Sequence, residues 1–69
     1  MRTAEVIKKI RDAAREAGVE FETFERARHT GIRVGAKRTT IGRHRETSNQ
    51  MAEKIYKQLE EVLGEGWWR

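Results

Sequence analysis

The sequence predicts an α+β domain in which two helices cover one face of a three-stranded antiparallel sheet, in the order α-β-β-β-α. Three observations lead there. Apolar residues recur at three- and four-residue spacing at both ends of the chain, two β-rich runs flank a Gly-Ala pair near its middle, and no proline, linker or repeat divides the 69 residues. A chain of this length forms one small domain, burying about 60% of the surface its unfolded form exposes. It has no cysteine to staple it, so a partner or an oligomer is a natural source of further burial.

Residues 3 to 17 form the first expected helix. Thr3 stands at its N-cap, Glu5 lies in the positive first turn, and Val6, Ile10, Ala13, Ala14 and Ala17 share one face. Gly18 follows as its stop. Residues 19 to 26 alternate apolar with acidic side chains and then slip by one step between Phe21 and Phe24, which predicts a strand bulged or twisted near its middle. Residues 29 to 34 and 37 to 41 predict a hairpin, because a two-residue loop with Gly35 first suits a type II′ turn. The register follows: Val34 opposite Lys37, Arg33 opposite Arg38, Ile32 opposite Thr39, Gly31 opposite Thr40, Thr30 opposite Ile41. Alternation then puts Thr30, Ile32, Val34, Thr39 and Ile41 on an apolar side, and His29, Gly31, Arg33, Arg38 and Thr40 on a cationic one.

The last helix is expected over residues 48 to 63, opening at Thr47 or Ser48 with capping-box spacing from Thr47 to Gln50 and stopping at Gly64. Met51, Ala52, Ile55, Leu59, Val62 and Leu63 make its apolar stripe, with Tyr56 at the margin. Glu53 and Lys57 are spaced for an ion pair. In the tail, residues 64 to 69, Trp67 and Trp68 are expected to fold back over apolar surface rather than stack on bases.

Charge is distributed unevenly. Between Arg26 and Arg45 lie Arg26, Arg28, Arg33, Lys37, Arg38, Arg43 and Arg45, with His29 and His44 and no acidic residue, whereas all 11 acidic side chains fall elsewhere. The net charge of +4 therefore conceals a strongly polarised molecule. Such a segment is the electrostatic footprint of a phosphate-backbone binder. Arg33 and Arg38, like charges directly opposite on a sheet, invite an anion between them. Arg28, Arg33, Lys37, Arg38, Thr40, Arg43, His44 and Arg45 are accordingly the candidate RNA-binding residues, His44 as a loop residue touching backbone phosphate. His29 is the candidate catalytic residue, since imidazole is the side chain that moves protons near working pH. RNA carries its own nucleophile in the 2′-OH, so one base and cations for the developing charge suffice without a metal. Two histidines and scattered carboxylates show no metal-ligand spacing; no metal and no cofactor is expected. With 38% charged residues and no long apolar run, the chain reads as soluble and cytoplasmic, with no membrane association.

The order of elements, a histidine opening the second strand in Arg28-His29-Thr30, and a third strand running into Thr40-Ile41-Gly42-Arg43-His44 together resemble the HicA family of mRNA-interferase toxins. The resemblance covers residues 3 to 63, and the tail looks like a variant ending of one branch. Ala27-Arg28-His29-Thr30 stands where the family usually has Gly-Ser-His-His, and Gly42 where it usually has proline. The resemblance implies a fold similar to a double-stranded-RNA-binding domain, metal-independent cleavage of mRNA with His29 as the catalytic residue, and neutralisation by a HicB-like antitoxin. Two other functions fit the same residues. One is a non-catalytic RNA-binding module, although modules of that type generally grip with helix termini and loops. The other is a protein-interaction domain whose basic face meets an acidic partner.

Overall fold

A computed structural model describes all 69 residues as an α+β fold in the expected order. Helix α1 spans Thr3–Ala17, strands β1, β2 and β3 span Phe21–Glu25, His29–Val34 and Lys37–Gly42, and helices α2 and α3 span Asn49–Gln58 and Glu60–Leu63. The strands form one antiparallel sheet in the order β1-β2-β3. Its inner face meets α1 and α2 through Val6, Ile10, Ala14, Ile32, Val34, Ile41, Ala52, Ile55, Tyr56 and Leu59. The opposite face is open. No helix is long and apolar enough to cross a membrane.

The hairpin of β2 and β3 has the register expected from its turn, with Arg33 opposite Arg38 and Gly31 opposite Thr40, and it extends one pair further to His29 opposite Gly42. Gly35 takes φ 58° while Ala36 keeps a negative φ, the combination of a type II′ turn. Of the bulge or twist expected in the strand over residues 19 to 26, the bulge is absent, and β1 is the shorter Phe21–Glu25. Phe21 to Glu25 pair one for one with Val34 to Thr30, and the two phenylalanines simply point to opposite faces. Phe21 packs against the core. Phe24 lies on the outer face across Gly31, where a Cβ would stand 2.7 Å from its Cδ2 and closer still to Cε2. The slip in the alternation thus marks an aromatic ring covering bare backbone on the neighbouring strand.

The cap expected at Thr3 and the capping box expected at Thr47 are both absent for one reason, while the last helix opens at Ser48, one of its two expected starts. Arg2, not Thr3, is the N-cap of α1 and makes no side-chain capping bond. The Thr3 hydroxyl instead meets the Thr47 hydroxyl at 2.6 Å in a buried pair. Thr47 is therefore not available for a capping box with Gln50. Ser48 caps α2 instead, its Oγ accepting from the Met51 N–H at 3.1 Å. Around the two threonines the chain start joins the loop before α2: Thr3 N–H donates to the Arg45 carbonyl, and Thr47 N–H to that of Met1.

The single helix expected over residues 48 to 63 is two. Leu59, at φ −93° and ψ 1°, separates α2 from α3, and the Trp67 indole N–H donates to the Tyr56 carbonyl at 2.9 Å across the break. Trp67 and Trp68 fold back as expected, with ring centroids 5.1 and 5.9 Å from that of Tyr56. Tyr56 is consequently buried rather than marginal, while Ala17 and Met51, both expected in apolar stripes, are exposed.

Candidate nucleic-acid interface

Strand β3 has a free edge, and a cavity of about 430 Å³ runs between it and α2. Its lining includes His29 from β2, Thr40 from β3, His44 and Ser48 from the β3–α2 loop, and Lys54 and Gln58 from α2. A second concavity of about 310 Å³, lined by Phe24, Arg26, Arg38, Thr39, Thr40 and Gln58, shares the last three with the first. A groove thus links the two sides of the strand. Thr39 Oγ1 donates to Gln58 Oε1 at 2.7 Å within it.

His29 is exposed at the first position of β2. The backbone ahead of it closes through the Arg26 N–H, which donates to the His29 carbonyl at 2.8 Å. Arg43 holds the same turn from the end of β3. Its guanidinium donates to Glu25 Oε2 at 2.8 Å, to the Ala27 carbonyl at 2.6 Å and to the Arg26 carbonyl. Arg43 is in this way a strut for the turn that presents His29.

The seven cations of the basic segment divide into two groups once Glu20 and the acidic residues of β1 and α3 are brought beside them. Arg33 is half-buried. Its Nε lies 3.2 Å from Glu22 Oε1, its Nη1 lies 3.7 Å from Glu20 Oε1, and Nη1 also donates to the Gly35 carbonyl at 3.0 Å. Lys37 pairs with Glu61 at 3.4 Å, and Arg43 with Glu25. The expected repulsion between Arg33 and Arg38 is thus relieved on one side by Glu22, which faces Arg33 from β1. Arg38 is the free member of that row. Arg26, Arg28, Arg38 and Arg45 are exposed and form no ion pair. Arg26 instead stacks over Phe24, Cζ to ring centroid 5.4 Å.

The structure therefore gathers His29, Thr40 and His44 into one cavity, leaves Arg28, Arg38 and Arg45 exposed and without ion pairs, and engages Arg33, Lys37 and Arg43 internally. Lys54 and Gln58, not anticipated from the sequence, join the cavity from α2. With Met51 they recur at three- and four-residue spacing on the helix face turned to β3, a legible pattern overshadowed by the apolar stripe beside it. No group of three or more His, Asp or Glu side chains is arranged to hold a metal ion. Comparison with protein-family models, curated proteins and solved structures returns no match.

Proposed function

We propose that this chain is a HicA-like endoribonuclease, the toxin of a toxin–antitoxin pair, which cleaves mRNA with His29 as general base and needs no metal. The observation that supports this reading is the setting of His29: an exposed imidazole, next in the chain to the unpaired Arg28, lining a cavity of about 430 Å³ that also holds His44 and Lys54. The imidazole takes the proton of the 2′-OH, the 2′-oxygen attacks phosphorus, and the 5′-oxygen leaves and takes up a proton. Arg28 stabilises the charge gathering on the non-bridging oxygens, and Arg38, four register pairs along the hairpin, holds a neighbouring phosphate. A HicB-like antitoxin of acidic character, binding in the cytoplasm over the open sheet face and the β3 edge beside it, would silence the enzyme by covering His29 and excluding RNA.

The test is RNA cleavage in EDTA by the wild type and by His29→Ala. The variant is expected to lose roughly 10²- to 10⁴-fold in rate with RNA affinity retained, and the products should end in 2′,3′-cyclic phosphate. Full activity in the variant would remove His29 from the mechanism. Binding without cleavage by the wild type would instead favour an RNA-binding module.

A further inference from the structure

Resting on the ribonuclease reading, we infer that His44 is the general acid that protonates the leaving 5′-oxygen, acting opposite His29 across the scissile phosphate. The argument starts from the register. His29 and Gly42 are direct partners across β2 and β3, and partners on adjacent strands project to the same face with Cβ atoms about 5 Å apart. Gly42 contributes no side chain to that slot. The His44 ring fills it: a Cβ at Gly42 would stand 2.9 Å from His44 Cδ2 and 3.2 Å from Nε2. The two imidazoles therefore occupy the two halves of one cross-strand position, and both line the same cavity.

His44 is also held in place from both sides along the chain. Arg43 is anchored to Glu25 and to the turn at Arg26 and Ala27, while the Arg45 carbonyl accepts from Thr3 N–H at 3.0 Å. The charged groups sharing the cavity are Glu46 from the same loop and Lys54 from α2. Glu46 is engaged by the Met1 ammonium at 3.5 Å, and Lys54 adds a further cation for the phosphate.

The step balances. Neutral His29 accepts the 2′-hydroxyl proton, the bond from the 2′-oxygen to phosphorus forms, the bond from phosphorus to the 5′-oxygen breaks, and protonated His44 gives its proton to that oxygen. Attacking and leaving oxygens lie in line on opposite sides of phosphorus, so a base and an acid are needed on two sides of the phosphate. A pair of imidazoles side by side across the strands, lining one cavity, meets that demand.

A substrate whose leaving 5′-oxygen is replaced by sulfur separates the two roles, because a thiolate leaves without being protonated. His44→Ala should cleave ordinary RNA roughly 10²- to 10⁴-fold more slowly than the wild type yet cleave the 5′-thio substrate at close to the wild-type rate. His29→Ala should be slow on both. Gly42→Ala, which displaces the His44 ring, should show a weaker form of the His44→Ala pattern. An equal defect of His44→Ala on both substrates, or no defect on either, would overturn the general-acid role while leaving His29 as base. Failure of the wild type to cleave either substrate would overturn the ribonuclease reading, and this inference with it.

Discussion

The hydroxyls of Thr3 and Thr47 meet at 2.6 Å in the protein interior, 44 residues apart in the chain. Their pairing ties the first turn of α1 to the residue preceding the N-cap of α2. With the backbone bonds of Thr3 to Arg45 and Thr47 to Met1, it fixes the loop that carries His44. No buried side-chain nitrogen or oxygen in the fold lacks a partner, so this pair is a satisfied polar element, and its removal is asymmetric. Deleting one hydroxyl strands the other.

Thr47→Val or Thr3→Val alone is therefore expected to destabilise the fold by about 1–3 kcal/mol, the cost of an unsatisfied buried hydroxyl, whereas the double variant should recover most of that loss. Urea unfolding of the four proteins checks it. Additive losses in the double variant would show that the threonines do not act as a pair. The single variants should also speed amide exchange at residues 43 to 47, because the join to the chain start is loosened there.

Gly31→Ala should cost about 1–3 kcal/mol through overpacking, since the new methyl collides with the Phe24 ring. Phe24→Ala in the same chain should relieve the collision. A thermal-unfolding double-mutant cycle is the check, and independent effects of the two substitutions would mean that the ring does not rest on Gly31.

The parts of this fold that were legible in the sequence are those set by local chemistry. The Gly35-Ala36 turn and the alternation on either side of it determine the hairpin register, and the spacing of Val6, Ile10 and Ala14 determines the buried face of α1. What escaped was set by contacts distant along the chain. The Phe24 slip reads as a bulge until Gly31 is laid beside it, and Thr3 and Thr47 each look like caps until they find one another. A continuous final helix is the natural reading until the Trp67 indole reaches the Tyr56 carbonyl. The basic segment looks uniformly available because Glu20, Glu22, Glu25 and Glu61 lie outside it in sequence, although they lie against Arg33, Arg43 and Lys37 in space. His44 reads in the sequence as a loop residue touching backbone phosphate, and its place beside His29 is not legible there. The signal for that place is Gly42 at the register position opposite His29, one pair beyond the hairpin end that the turn alone predicts.

Tyr56 carries the expected pH dependence of stability. Burial, and after it the Glu5 carboxylate, raises its phenol above the ordinary value of 10.0. Below that ordinary value the phenol is neutral in folded and unfolded chains alike, so the contribution is fully present. As pH rises past it, the unfolded chain ionises first and the stability is lost toward the folded-state value. Unfolding measured from pH 8 upward should thus show destabilisation beginning near pH 10. Tyr56→Phe should flatten that limb while changing little at pH 7, and an unchanged alkaline limb in the variant would assign the effect to another group.

Salt dependence separates the free arginines from the engaged ones. If Arg26, Arg28, Arg38 and Arg45 each meet one phosphate of single-stranded RNA, the slope of log affinity against log salt should be near −3, at about 0.7 per contact. Arg38→Ala should reduce its magnitude by about 0.7 without loss of fold stability, because Arg38 has no ion pair to lose. Arg33→Ala should do the reverse. Its guanidinium is already held by Glu22, Glu20 and the Gly35 carbonyl, so removing it should lower stability, by up to about 1 kcal/mol for so open an ion-pair cluster, and leave the slope nearly as it was. Titrations from low to moderate salt on both variants, with their unfolding curves, decide the matter. Equal slope changes at Arg33 and Arg38 would mean that RNA displaces Glu22 and takes both arginines as a phosphate clamp, and the outer sheet face rather than the β3 edge would then be the main RNA track.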